Sequence, residues 1–282
     1  MIRVLDLEYP EHPYLNLALE EAIALAVGKR VVPETLRFWR NANAIVIGRF
    51  QCPSLEVNFE ECISYKVRVE RRFTGGGAVY HDLGNLNFAL ALRRNNPLIG
   101  EKLFRGFELL GKAVGFGLRS LGVKDVHFKP VNSVLIGKKK VSGMSGLIAK
   151  EFIFVHGSIL VSSDLELLDR VLKAPYYNRR EKFVRSKWHE VTTIEKALKR
   201  DVELEEIKRA IIEGLRKVLG YDFREKSIMA FERTLARNLY NEKYSKLEWS
   251  LGPCTMCPRK RIDEIIFKEL TLNKIHQADE LF

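Results

Sequence analysis

Residues 71–90, RRFTGGGAVYHDLGNLNFAL, constrain this chain more than any other stretch. Three consecutive glycines, Gly75, Gly76 and Gly77, follow a short β-forming run at 67–70 and precede two more, at 78–80 and 86–92. Without a Cβ, glycine lets backbone amides approach a ligand at dihedrals that other residues resist. Successive amides in such a turn make an anion-binding concavity. Arg72 adds a planar, permanently charged fork suited to phosphate or carboxylate oxygens, while Ala78, Val79, Tyr80 and the run from 86 supply apolar surface. A hairpin with a glycine-rich turn is the plainer reading of GGG alone. The two flanking arginines and the HDLGN turn favour an anion cradle beside an apolar wall. His81 reads as a structural hydrogen-bonding residue of that turn rather than a base, and Asp82 as turn-forming.

Around this segment strands and helices alternate irregularly. Residues 2–5 read as a strand and 13–27 as an amphipathic helix with Leu15, Leu19, Ala22 and Ile23 on one face. Residues 35–39 and 44–47 read as paired strands around Asn41-Ala42-Asn43. Leu103, Phe107, Leu110, Val114 and Leu118 predict a helix over 102–121, and Leu204, Ile207, Ile211, Leu215 and Val218 another that stops at Gly220. Further strands are expected at 132–136, 152–155 and 158–161. No regular βαβ repeat emerges, so the fold class is α+β (mixed α/β), with mostly antiparallel or mixed sheets packed with helices. Two motifs are set aside. GFELLGK at 106–112 imitates a Walker A loop, but Ala113 replaces the hydroxyl residue and the segment lies within a helical stripe. His127 is expected to be a satisfied structural histidine in a strand.

The chain's 282 residues suffice for one large domain with a small appendage. The expected division is 1–250 as the catalytic domain and 251–282 as a tail. A formal charge of +11 favours acidic partners, although interspersed lysines and glutamates also suit surface ion pairs. Nucleic acid is not the expected partner. No apolar run approaches the roughly 20 residues that span a bilayer, and MIRVLDLEYP has no signal-peptide pattern, so a cytoplasmic location is expected. Of Cys52, Cys62, Cys254 and Cys257, only the last two form a pattern, a single CxxC. A zinc site there would need ligands from elsewhere; a redox pair and unliganded structural thiols are the alternatives. Beyond it, Ile262, Ile265, Ile266 and Leu270 have amphipathic spacing, and Pro258 can start that helix.

The second informative segment is VNSVLIGKKKVSGMSG, residues 131–146. Lys138 and Lys139 read as a solvated hairpin tip. Lys140 alone is followed by Val141-Ser142-Gly143, small residues that let a backbone or ligand come close to an ammonium able to neutralise both a carboxylate and a phosphate oxygen.

Taken in order, NLALEEA at 16–22, LRFWRN and IVIGR within 36–49, RRFTGGGAVYHDLGN at 71–85, Asn132, KVSG at 140–143, HGSIL at 156–160 and KYSKLEW at 243–249 resemble the lipoate-protein ligases. These belong to the larger biotin and lipoate ligase superfamily, whose catalytic domain is class II synthetase-like. The resemblance covers nearly the whole chain. It implies that lipoate and MgATP give lipoyl-adenylate and pyrophosphate, and that the acyl group then passes to a lysine of a carrier domain of the 2-oxoacid dehydrogenase E2 or glycine cleavage H protein type. It also implies that Lys140 contacts the acyl oxygen and the phosphate. Arg72, Gly75, Gly76, Gly77, Ala78, Val79, Tyr80 and Asn132 would hold the nucleotide and substrate. Phe38, Val46 and Phe88 are candidates for the acyl pocket, and loops around 137–150 and 175–190 for closure over the adenylate.

Three departures from the family pattern carry consequences. Asn132-Ser133 stands where the family commonly has Asn-Asp, so magnesium would rest on phosphate oxygens and water. Met144-Ser145-Gly146 follows KVSG, which bears on acyl specificity. The chain stops about thirty residues past KYSKLEW, so the C-terminal accessory domain is expected to be absent or supplied by a separate small protein. Two other activities stay open: an acyltransferase of the same fold working through a cysteine thioester, with no cysteine well positioned for it, and a non-catalytic adenylate-binding protein.

Overall fold

The computed structural model describes residues 1–100, 102–173 and 184–251. Cys254, Cys257 and the expected tail helix lie outside the described residues. In chain order the first half comprises β1 (Ile2–Asp6), α1 (Pro13–Gly28), β2 (Thr35–Trp39), β3 (Asn43–Ile47), α2 (Pro53–Glu56), α3 (Phe59–Ser64), β4 (Arg68–Arg71), β5 (Val79–Asp82), β6 (Asn85–Arg93) and α4 (Leu103–Ser120). The second half adds β7 (Val126–Lys129), β8 (Ser133–Ile136), β9 (Lys139–Ile148), β10 (Phe152–Leu160), α5 (Leu165–Val171), α6 (Ile194–Leu198), α7 (Leu204–Leu219), β11 (Phe223–Glu225), α8 (Ala230–Leu239), a π-helical turn (Tyr240–Tyr244) and α9 (Leu247–Leu251).

An eight-stranded sheet runs β11-β1-β2-β6-β10-β9-β8-β7, parallel at its β11-β1-β2 end and antiparallel beyond. A separate three-stranded sheet runs β4-β3-β5. The mixed, mostly antiparallel character follows the expectation from element order. The pairing of 35–39 with 44–47 does not hold: β2 has both edges taken by β1 and β6, and β3 pairs with β4 and β5 in the other sheet. Nor do two strands lie between 152 and 161. β10 is continuous through His156 and Gly157, because its ladder to β6 is unbroken from Phe152 to Leu160.

Period-two alternation divides the large sheet's faces. Leu36, Phe38, Leu86, Phe88, Leu90 and Leu92 pack with α4 and α7 in the main core. The opposite face carries α1, whose residues are buried nearly all round because it lies against β6, β10, α8 and β4. Gly220 ends α7 in the left-handed conformation at φ 70°, as its place in the sequence predicts. GFELLGK is helical within α4, with Lys112 ion-paired to Glu108. His127 departs from expectation: it is exposed, since β7 is the sheet's edge strand.

Candidate active site

Directly opposed residues on neighbouring strands share a face, and one such row crosses six strands. Trp39 on β2 opposes Asn87 on β6, which opposes Ser158 on β10. Ser158 opposes Gly143 on β9, Gly143 opposes Ser133 on β8, and Ser133 opposes Lys129 on β7. All six line one cleft lobe of about 580 Å³. With strands about 4.8 Å apart the row is roughly 24 Å long, running from an indole at one end to an ammonium at the other.

The glycine loop forms a wall of this lobe and is held from within. Arg72 donates from Nε and Nη2 to the Gly75 carbonyl at 3.1 and 2.6 Å, from Nη2 to Gly77 O at 2.7 Å and from Nη1 to Val46 O at 2.9 Å. Its donors fix carbonyls of the loop and of β3, and burial lowers its pKa to about 10. Ser145 Oγ adds a bond to Gly75 O at 2.7 Å. Gly76 has φ 86°, and its carbonyl lies 2.1 Å from where a Cβ on Gly48 would stand, so both positions require glycine. The Ala78 amide donates to Ser186 Oγ at 2.8 Å. Val79 and Tyr80 belong to β5 rather than to the loop, and Tyr80 Oη donates to Asn43 Oδ1 at 3.1 Å.

Lys140 stands where two lobes meet. Both the first lobe and a second of about 620 Å³ are lined by Lys140, Gly143, Ala78, Val79, Ser158 and Ser186. A Cβ on Gly143 would lie 2.9 Å from both Cε and Nζ of Lys140, so the ammonium occupies space that only glycine leaves open. Burial pushes the Lys140 pKa down, and among the described residues no carboxylate pairs with it. Its backbone is clamped where the β10 ladder ends: the amide donates to Glu190 O at 2.8 Å and the carbonyl accepts from Thr192 N at 3.0 Å. Asn132 Nδ2 is tied to the Met144 carbonyl at 2.5 Å.

Apolar contact at the aromatic end comes from Leu17, Trp39, Val46 and Val79. Of the three acyl-pocket candidates, only Val46 lines the lobe. Phe38 and Phe88 face the α4 side and are 1% and 0% exposed there, because adjacent strand residues point to opposite faces. Behind Trp39, the carboxylate of Glu20 accepts from Trp39 Nε1 at 2.9 Å and meets His156 Nδ1 at 3.0 Å, while His156 Nε2 meets Thr74 Oγ1 at 2.7 Å. His81 has its pKa depressed to about 3 by burial first, then by Arg72 and His156, and it lies within reach of Asn41 and Asn87 amides. A neutral, hydrogen-bonded ring fits the structural role read from its sequence context.

Residues 184–192 cross the cleft as a strap. Ser186 Oγ joins the Ala78 amide to Gln51 Nε2, and Arg185 pairs with buried Glu56 at 2.8 Å. The expected closing loop at 137–150 is instead largely strand β9, and 174–183 lie outside the described residues.

Residues 12–216 match the family model of the lipoyl protein ligase A/B catalytic domain. The chain belongs to this family. Lipoate-protein ligase A subunit 1 of Thermoplasma acidophilum is 36% identical over 262 residues, 89% of this chain and 96% of that one. The octanoyltransferase LipM of Clostridioides difficile is 26% identical over 256 residues, 84% of this chain and 93% of its own length. A bi-partite lipoate protein ligase from Thermoplasma acidophilum, studied with its E2 lipoyl domain, superposes with a TM-score of 0.76 at 34% identity, covering 89% of this chain and 96% of that one. A Thermoplasma acidophilum lipoate ligase with bound lipoic acid gives 0.75 at 32%, covering 89% and 99%. A lipoate-protein ligase A bound with ATP gives 0.75 at 33%, covering 89% and 98%.

Family resemblance implies magnesium, and the described residues around Asn132 and Ser133 do not fit a protein-held ion. Among the described residues no carboxylate lines the lobe containing Asn132 and Ser133. In the second lobe Glu56 is paired with Arg185, Glu190 with Lys139 and Glu166 with Arg170, and Asp169 is a single further carboxylate of its lining. No cluster of three metal-ligating side chains exists among the described residues. Several lining residues carried no assignable signal in the sequence. His156 lay in the recognisable HGSIL block without a role, whereas Lys129 and Ser186 converge on the cleft only through strand register and the strap.

Proposed function

We propose that the chain is an ATP-dependent ligase that joins the carboxylate of lipoate or octanoate to AMP and passes the acyl group to a lysine of a lipoyl-carrier domain. In the first half-reaction a carboxylate oxygen attacks the α-phosphorus and pyrophosphate leaves. In the second the acceptor amine attacks the acyl carbon, loses a proton, and AMP leaves. Two anions must meet before the first step, so fixed positive charge has to sit between them. The observation that carries this reading is the half-buried ammonium of Lys140, with no carboxylate partner among the described residues, at the junction of the lobes, with apolar Leu17, Trp39, Val46 and Val79 at the same cleft's aromatic end. An eight-carbon acyl chain gains roughly 0.8 kcal/mol per CH₂ buried on such a wall.

In this scheme the glycine loop borders the phosphate, and Arg72 acts by fixing the carbonyls of Gly75 and Gly77. Asn132 borders the nucleotide. The strap at 184–192 limits water access to the mixed anhydride.

The relatives also include octanoyltransferases. Acyl transfer through a thioester needs a reactive cysteine, and among the described residues no cysteine lines either lobe. Cys62 is buried, with its thiol pushed up to about 12, which favours the ligase. The partner we propose is an E2-type or H-protein-type lipoyl domain, whose acidic character would suit the +11 charge. A separate small accessory protein could assist transfer, as the bi-partite relative suggests.

ATP–pyrophosphate exchange with lipoate, octanoate or biotin tests the reading. Exchange that needs lipoate or octanoate and disappears in Lys140→Ala supports it. Transfer of acyl groups between carrier proteins with no exchange for any acid would overturn it. Exchange without transfer to a lipoyl domain would point to the accessory protein.

A further inference from the structure

The cleft lobe that meets the glycine loop has an unusual charge balance. Lys129, Lys140, Lys187 and His189 line it together with Arg185, and among the described residues no aspartate or glutamate does. Arg185 is engaged by Glu56. Lys129 and Lys187 have no ion pair or hydrogen-bond partner among the described residues and are exposed to whatever enters. Lys129 is in register with Ser133, two strand spacings, or about 10 Å, from Gly143, beside which the Lys140 ammonium lies. An aspartate at position 133 would neutralise Lys129 and offer a metal ligand; serine does neither. The imidazole of His189 is held below its ordinary pKa by burial first, and then by Lys140, Lys129 and Lys187, so these three ammoniums act on a single point of the cleft.

Resting on the ligase reading, we infer that Lys129 and Lys187 bind the β- and γ-phosphates of the nucleotide directly, beyond the α-phosphate subsite at Lys140. Phosphate charge that a carboxylate-held metal would otherwise offset is then offset by the chain's own cations. The leaving pyrophosphate remains between Lys129 on the sheet edge and Lys187 on the strap. A lysine ammonium is suited to this as a mobile point charge on a flexible stem. Serine at 133 keeps the floor of the lobe neutral and small, so that a polyanion meets no repulsion there.

The test is binding of ATP and AMP to the full chain by calorimetry, in EDTA and in magnesium, for the wild type, Lys129→Ala, Lys187→Ala, the double variant and Ser133→Asp. Wild-type protein is expected to bind ATP more tightly than AMP in EDTA, by roughly tenfold for each charged phosphate contact. The double variant should lose that preference while AMP affinity stays within about twofold of wild type. Raising salt should weaken ATP binding more in the wild type than in the double variant. Ser133→Asp should weaken ATP in EDTA and recover in magnesium. Lys129→Arg with Lys187→Arg should retain the preference, and unchanged melting temperatures would establish that all variants are folded. ATP binding no tighter than AMP without metal, or equal losses for both nucleotides, would overturn the inference. Exchange assays separate the two readings: absent lipoate- or octanoate-dependent exchange with an intact ATP preference defeats the ligase reading alone.

Discussion

Arg71 and Trp249 exchange hydrogen bonds across 178 residues of sequence: Trp249 Nε1 donates to the Arg71 carbonyl and Arg71 Nε donates to the Trp249 carbonyl, both at 2.8 Å. Arg71 Nη1 meanwhile donates to the carbonyls of Gly48, Arg49 and Gln51 at 2.9–3.0 Å, and Gln51 reaches the strap through Ser186. The ammonium of Lys243, paired with Glu21, lies 4.0 Å from the Trp249 ring centroid. The last described helix is therefore connected to the wall of the cleft.

That connection sets the first expectation. Trp249→Phe retains a ring but loses the donor, costing about 1 kcal/mol. Arg71→Lys, which cannot serve three carbonyls and Trp249 together, should cost about 3 kcal/mol and lower exchange activity as well. Urea denaturation gives the first quantity. A fully stable Arg71→Lys would show that the connection contributes nothing.

Lys140→Ala should reduce kcat for adenylation by about 100- to 1000-fold, the usual cost of removing charge aimed at a transition state. Gly143→Ala should reproduce much of this loss without unfolding the protein, since its Cβ would displace the flexible end of Lys140 rather than backbone. Rates near wild type in Gly143→Ala, with circular dichroism unchanged, would contradict the placement of the ammonium.

Gly48→Ala meets backbone instead: its Cβ would stand 2.1 Å from the Gly76 carbonyl oxygen. Overpacking of this kind costs about 1–3 kcal/mol, and the glycine loop should shift with it. A lowered melting temperature together with weakened ATP binding is the expected pair of results.

The acyl wall can be separated from the core by a contrast. Val46→Phe should raise KM for lipoate selectively, because Val46 lines the cleft, and should also cost about 1–3 kcal/mol because Val46 packs in the cluster with Trp39 and Leu17. Phe38→Ala should cost about 3–5 kcal/mol with no selective effect on the acid, because Phe38 is core on the other face. Reversed phenotypes would reassign the acyl pocket.

Burial holds Lys140 below the ordinary lysine value of 10.5. Because the charged form is the active one, kcat/KM for adenylation should fall on the alkaline side at a pH below 10.5. Bound carboxylate and phosphate favour the ammonium, so the corresponding limb in kcat should lie at higher pH. Stability has the opposite dependence. The unfolded chain binds this proton more tightly than the folded one, so the penalty for charged Lys140 is full at low pH and is relieved as pH rises through the folded and then the unfolded pKa. Lys140→Met should therefore melt at a higher temperature than wild type at pH 7 while losing adenylation. Coincident limbs in kcat and kcat/KM, or a lower melting temperature, would refute this.

The sequence by itself determined the helix stripes of α4 and α7, the stop at Gly220, the glycine loop between strands, the singular position of Lys140 and the family. These are local: periodicity, turn chemistry and a block of side chains whose spacing is fixed by the backbone. Tertiary structure alone decided which strands pair, and with that which side chains share a face. A strand pattern does not name its partner, so the row from Trp39 through Gly143 and Ser133 to Lys129 could not be read along the chain. Strand alternation put Trp39 and Asn87 in the cleft while Phe38 and Phe88 went to the core, since a one-residue step in a strand reverses the face. Long-range hydrogen bonding likewise turned Arg72 inward to the carbonyls of its own loop, a choice that depends on where β3 lies and that no residue near Arg72 records.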